Sequence, residues 1–158
     1  MKANIKITKN EALRFILNIE TMAKRRLQVG IPEDKDQRKG EGIGNAQLGY
    51  IHEFGSPAAG IPARPFLMPA MQKAAPEAMK EIKTYAAQAM KQPEAIIKGL
   101  TAAGILAMSA VKNQIVSSEG MTGLSNATLN ARASKGYKGT KPLIRTGQLL
   151  NSIKFVVK

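Results

Sequence analysis

The nineteen residues from Tyr50 to Met68, YIHEFGSPAAGIPARPFLM, restrict the backbone more than any other stretch of this chain. They hold the single histidine, two of the four phenylalanines and three of the eight prolines. Pro62 and Pro65 fix φ at about −65° and push Ile61 and Arg64 towards extended backbone, so residues 61–66 are predicted to form a stiff arm that cannot be helical. Gly55 and Gly60 bracket a Ser-Pro-Ala-Ala turn. Upstream, Asn45 to Phe54 reads as a short helix with Asn45 as N-cap and Gly55 as its stop. Downstream, Phe66 and Leu67 are apolar anchors at the mouth of a second helix. A Pro-rich elbow, residues 56–66, therefore separates two helices.

The remaining segments are predicted around it. Residues 3–8 alternate in polarity, with Ile5 and Ile7 on one face, and predict a short half-buried strand. Asn10 caps a helix running from Glu11 to about Gln28, whose terminal Lys24, Arg25 and Arg26 complement the helix dipole. Residues 30–44 mix both signs of charge with four glycines and no apolar period, which predicts a mobile loop. Beyond the elbow, Pro69 to Lys91 predicts helix, with Pro76 opening a second segment at its first turn. Pro93 and Glu94 start another helix reaching Ser117, with Ile97, Leu100, Gly104, Ala107, Val111 and Ile115 as its apolar stripe. A short helix over Leu124–Ala133, capped by Ser125 or Asn126, leads to a basic Gly-rich loop at 134–142. Thr146 caps a helical turn through Leu150, and Ser152–Val157 alternates as a closing strand. The expected fold class is α+β: a small mixed or antiparallel sheet, several helices including long Ala/Met-rich ones, and extended loops or arms, in one domain spanning 1–158. The terminal strands are expected to pair with each other or with a neighbouring subunit's edge.

Composition narrows the chemistry. The chain has 158 residues, a net charge of +13, no cysteine and no tryptophan. Absence of cysteine excludes disulfides, thiolate catalysis and Cys-ligated metal. No uninterrupted apolar run approaches the roughly 20 residues of a membrane span, and the N-terminus lacks the apolar core of a signal peptide. Large positive charge favours nucleic acid, acidic protein surfaces or anionic membranes without choosing among them. Its distribution is uneven, since no acidic residue follows Glu119 whereas Arg132, Lys135, Lys138, Lys141 and Arg145 do. These five are candidates for contact with DNA or an acidic partner, the alternative being a solvated loop.

His52 beside Glu53 is the one pairing that suggests acid–base or metal work. A lone histidine cannot supply a multi-histidine metal site, and neighbours on a helix diverge by about 100°. A structural hydrogen-bonding role is expected, and no catalytic residue, cofactor or metal ligand is assigned. Arg64 is expected to pair with Glu53 or with a backbone carbonyl.

The pattern Tyr50, His52-Glu53-Phe54-Gly55, then Ile61-Pro62-Ala63-Arg64-Pro65-Phe66-Leu67 resembles the signature of tailed-phage virion-morphogenesis proteins, the tail-completion and neck proteins of Mu-like and related phages. A second block is similar to the same family: Gly123-Leu124-Ser125, Thr128, a basic run, Lys141-Pro142-Leu143-Ile144, Thr146-Gly147-Gln148-Leu149 and Asn151-Ser152-Ile153. The two blocks cover roughly a third of the chain. The resemblance implies a non-enzymatic structural protein of the phage neck or tail top, a ring or collar that completes the tail or joins head to tail. It implies self-association, a hexamer being expected first and a dodecamer second. Head-closure or connector proteins and tail terminator or tube proteins would be its neighbours, packaged DNA could pass through the lumen, and no membrane is involved. Assembly would take place in the host bacterial cytoplasm and the product would reside in the virion. Tyr50, His52, Glu53, Phe54, Gly55, Ile61, Pro62, Arg64, Pro65, Phe66, Thr146 and Gly147 would then be interface and structural residues. The alternative is a basic DNA-binding module without enzymatic activity.

Overall fold

A computed structural model describes residues 9–38 and 42–158; the strand expected at residues 3–8 lies outside them. Among the described residues the chain forms six helices and one two-stranded antiparallel sheet, an α+β fold. The helices are α1 (Lys9–Ala23), α2 (Asn45–Phe54), α3 (Leu67–Ala89), α4 (Ala95–Ser117), α5 (Asn126–Ser134) and α6 (Gln148–Ser152). The strands are β1 (Leu27–Gly30) and β2 (Lys154–Val157).

The frame is the pair α3 and α4. Gln92 and Pro93 break the helix between them, and the short connection turns α4 back along α3. Core contacts fix the direction: Ala70 near the start of α3 packs with Val111 and Ile115 near the end of α4. Ala89 at the end of α3 packs with Ala95, Ile96 and Leu100 at the start of α4. Small side chains on the facing surfaces let the two backbones approach closely. Pro76 does not start a new segment as expected; it lies inside an uninterrupted α3. The hydrogen bond it removes would fall on the carbonyl of exposed Gln72, where water can take the vacant acceptor, and packing on α4 holds the helix together.

The first helix is shorter than its periodicity suggests. It ends at Ala23, and Leu27–Gly30 pairs with β2 in the register Leu27↔Val157, Gln28↔Val156, Val29↔Phe155 and Gly30↔Lys154. Mutual hydrogen bonds between Arg26 and Lys158, at 2.8 and 2.9 Å, extend the ladder. A helical pattern that local sequence supports is thus overridden by a strand partner more than a hundred residues away. Two strands alone are marginal in water, so this ribbon needs a floor. α4 provides it at Gly104, where any Cβ would overlap the Phe155 ring and crowd Leu27. The small residues of α4 thus admit both neighbours: Gly99 lies against Tyr85 of α3, and Gly104 lies against the sheet.

By length and composition α4 is also apolar enough to cross a bilayer, its best window having a mean hydropathy of 1.5. The expectation that no uninterrupted apolar run reaches the length of a span stands, since Lys98 and Lys112 interrupt α4. The apolarity arises because α4 packs on α3 along one side and on the sheet along another, burying ten residues from Ala95 to Ile115.

Candidate binding groove

The elbow is built by two charged residues acting on backbone. α2 ends where expected, with Gly55 at φ 77° donating its N–H to the Ile51 carbonyl and lying too close to Ala63 to carry a side chain. The Ser-Pro-Ala-Ala turn is a 3-10 turn (Pro57–Ala59) closed by a bridge between Ser56 and Ile61. Glu53, buried at the end of α2, then reaches across to the start of α3. Its Oε2 accepts the N–H groups of Phe66 and Leu67 at 2.8 and 2.9 Å, and its Oε1 accepts that of Met68 at 2.9 Å. The next residue is Pro69, which has no N–H. All four donors that a helix start leaves unsatisfied are thereby accounted for by one carboxylate and one proline. The negative charge also sits at the favourable end of the α3 dipole.

Asp36 does the same for α2: its Oδ1 accepts the Ala46 N–H and its carbonyl the Asn45 N–H. Asn45 is therefore not the N-cap; Gly44 holds that position, and the Asn45 amide donates to the carbonyls of Lys35 and Gln37.

Arg64 pairs with carbonyls and not with Glu53. Its Nε donates to Thr122 O at 2.7 Å and its Nη2 to Gly123 O at 2.9 Å, pinning the arm to the turn after α4. Only 7% of Arg64 is exposed. Phe66 follows into the main core beside Val111, Ile115, Leu143, Leu149 and Ile153.

That bond draws together the two sequence blocks noted above. Between them lies a groove of about 880 Å³, with α2 and the elbow arm (His52, Ile61, Arg64) on one side. The 122–128 turn and residues 142–149 form the other side. Arg132 of α5 shapes this second wall, its Nη1 donating to the carbonyls of Lys141 at 2.9 Å, Gly139 at 3.2 Å and Ile144 at 3.4 Å. Ser125 caps α5 by accepting the Thr128 N–H. Thr146 Oγ1 meets the Gln148 N–H at 3.5 Å, with Gly147 as the residue that caps α6.

The groove is electropositive. Arg38, Arg64, Arg132 and Arg145 line it together with His52, and no described lining residue is acidic. Burial, reinforced by the charges of Arg64 and Arg38, pushes His52 down to about 4, and its Nδ1 is buried without a hydrogen-bond partner. Arg132 is pushed below the ordinary guanidinium value by burial first, then by Arg145 and Arg64. It nonetheless stays charged at neutral pH.

The other expected residues are distributed differently. Tyr50 and Phe54 are 66% and 62% exposed, their rings in a tilted contact with centroids 4.8 Å apart on the outer face of α2, and form no part of the elbow's interior. Pro62 is exposed and Pro65 half-buried. Lys135 and Lys138 stand in solvent away from the groove, whereas the Lys141 ammonium donates to Val116 O at 2.6 Å and Arg145 lies over the Tyr137 ring at 5.8 Å. Sequence reasoning missed Arg38, Thr122 and Leu149 as lining residues. Arg38 sits in a segment without any period, so no pattern could have placed it.

No family model, curated protein or solved structure matches this chain.

Proposed function

We propose that this chain is a non-enzymatic structural protein of a tailed-phage virion, located at the neck or tail top. There, copies would form a ring that completes the tail or joins it to the head, meeting head-closure or connector proteins on one side and terminator or tube proteins on the other. The identity of the particle rests on the two sequence blocks.

The observation that carries self-association is α1. Leu13, Phe15, Ile16, Leu17 and Ile19 are each between 44% and 60% exposed, on a helix tied to the body through Asn18, whose amide donates to Met90 O at 2.9 Å, and through Met22. Contiguous large apolar side chains in water mark a surface that another chain covers. A second copy is the occupant this reading requires, in a head-to-tail contact that closes into a ring.

The His52-Glu53 pair gives no support to an enzyme. Glu53 is fully engaged on the α3 amides, and a histidine held at about 4 lies far from the near-neutral value that general base catalysis favours.

The competing reading, a basic DNA-binding module, draws on the exposed Lys135 and Lys138. Sedimentation of the purified chain, combined with electron microscopy of particles, separates the two. A ring, expected to be six-fold, at the head–tail junction supports the neck reading. A chain that is absent from particles and binds duplex DNA with a steep salt dependence would replace it with the DNA-binding one.

A further inference from the structure

We propose that the two-stranded sheet continues from copy to copy, the outer edge of β2 in one chain pairing antiparallel with the outer edge of β1 in the next. The inference rests on the reading that copies close into a ring, and it names backbone surfaces that would join them.

The phase of the ladder decides which backbone groups are left over. Arg26 and Lys158 exchange both of their N–H to carbonyl bonds, so they form a hydrogen-bonded pair. In an antiparallel ladder such pairs alternate with non-hydrogen-bonded ones, which makes Gln28–Val156 and Gly30–Lys154 hydrogen-bonded as well. The N–H and C=O groups of the intervening residues therefore point away from the ladder, those of Leu27 and Val29 at one edge and those of Phe155 and Val157 at the other. Among the described residues no hydrogen bond reaches any of these groups. Packing does not close the edges either. α4 is the helix that packs most against both strands, and it lies under one face of the ribbon, where Gly104 meets Phe155 and Leu27. A concavity of about 190 Å³ opens on the β1 side, lined by Gln28, Val29, Ile31, Lys154 and Val156 among others. Unpaired edges are templates for another strand, and no proline or charged residue lies between Leu27 and Ile31 or between Phe155 and Val157 to blunt them.

A second copy of the chain is the occupant these edges fit. Neighbours in a ring are related by a rotation and not by a reversal, so β2 of one copy meets β1 of the next antiparallel, as it meets its own β1. Full overlap pairs Phe155 with Val29 and Val157 with Leu27 across the join, which keeps their apolar side chains on one continuous face. Lys154 then falls beside Gly30 of the next copy, at the end of β1 that leads into the exposed Glu33. At the other end Lys158 meets a second Arg26, a repulsion that salt screens. Pairing of like edges in a two-fold dimer would leave the other edge of each copy open, whereas head-to-tail pairing around a closed ring leaves none. Only residues 24–26 separate β1 from α1, so the join lies close to that helix.

The test uses the full-length chain, which contains no cysteine. Gln28→Cys and Val156→Cys are made as two separate variants. Across the proposed join these positions form a non-hydrogen-bonded pair, whose Cα separation of about 4.5 Å suits a disulfide. In glutathione buffer at about 0.15 M salt, neither variant alone should cross-link. An equal mixture, unfolded and refolded together, should place about half of its chains in disulfide-linked dimers, since about one join in four presents both thiols. Val157→Pro supplies a second readout: the N–H it removes faces outward, so the chain keeps its own ladder and its denaturation midpoint while it sediments as a monomer. Cross-linking of either variant alone would show pairing of like edges and overturn the proposal, as would a Val157→Pro chain that still assembles. No cross-linking in the mixture would overturn it too. In that case a wild-type chain that sediments as a ring keeps the ring reading and places the contact elsewhere, whereas a monomeric wild type counts against the ring as well.

Discussion

At the elbow, Glu53 accepts three backbone N–H groups, Arg64 donates to two carbonyls, and Phe66 is 98% removed from solvent, being 2% exposed. On α1, five large apolar side chains stand in water, and Asn18 and Met22 bind the helix to the rest. The same chain contains a corner where two charged side chains satisfy backbone groups and Phe66 is buried, and a helix whose apolar side chains are left in water. On the reading proposed above, the difference separates what this protein needs in order to fold from what it would need in order to assemble. Substitutions in the first region should be read in stability, and substitutions in the second in association.

The largest loss is expected from Glu53→Ala. Three charge-assisted hydrogen bonds disappear, and the start of α3 is left buried with unsatisfied donors, which should cost about 4 kcal/mol. Chemical denaturation would report it as a lowered midpoint at unchanged slope. A loss below about 1 kcal/mol would mean that water or another side chain caps α3 equally well. Arg64→Ala should cost somewhat less, about 3 kcal/mol, by freeing the carbonyls of Thr122 and Gly123. Arg64→Lys should not rescue it, because one ammonium cannot reproduce a fork aimed at two successive carbonyls. If Arg64→Ala unfolds at the wild-type midpoint, the arm is held by Phe66, the Glu53 contacts and the bond from the backbone N–H of residue 64 to His52 O, without need of the guanidinium.

His52 gives a smaller effect with a defined sign. Its folded value of about 4 lies below the ordinary 6.5, so the unfolded chain takes up the proton first. The stability that neutral His52 contributes is whole above about pH 6.5 and is lost as pH falls towards 4. Allowing for solvent screening, the loss should be about 1–2 kcal/mol. Carboxylates elsewhere titrate near the lower end of this window, so the decisive quantity is the difference between wild type and His52→Gln. The variant should have a flatter stability profile between pH 6.5 and 4. Parallel profiles would show that His52 takes up its proton at the same pH in the folded and the unfolded chain, so that its surroundings do not depress it.

How far these regions were legible in the sequence follows the range of the interactions involved. α2, α4, α5 and β2 lie close to where periodicity and local stop signals put them, because Gly55, Pro93 and Ser125 act within a few residues of themselves. Glu53 could be singled out but not assigned: the amides it caps lie thirteen to fifteen residues further on, beyond any local capping pattern. Arg64 was narrowed to two kinds of partner, and the carbonyls that won are 58 and 59 residues away. The groove was hidden altogether, since its four arginines come from four separate segments and converge only when the elbow folds against the turn after α4. β1 escapes sequence reading for the same reason: Leu27 and Gln28 read as the end of the first helix and Gly30 as the start of a loop, because their partner is β2 at the far end of the chain.

The smallest effect on the monomer is expected where the comparison began. Changing Leu13 and Ile16 together to serine touches side chains that already face water, so the unfolding free energy of the isolated chain should move by less than about 0.5 kcal/mol. Helix propensity falls slightly with serine, but α1 contributes little to the two core clusters, which draw on it only through Met22. Association should respond in the opposite proportion. Two leucine-sized side chains removed from a subunit contact are worth roughly 3–6 kcal/mol per interface, enough to shift a ring to monomer at micromolar concentration. Sedimentation and denaturation on the same variant therefore decide together. Loss of the assembly with stability retained assigns α1 to the intersubunit contact. Loss of stability in the monomer would show that α1 packs on its own chain, and an intact assembly would place the contact elsewhere on the surface.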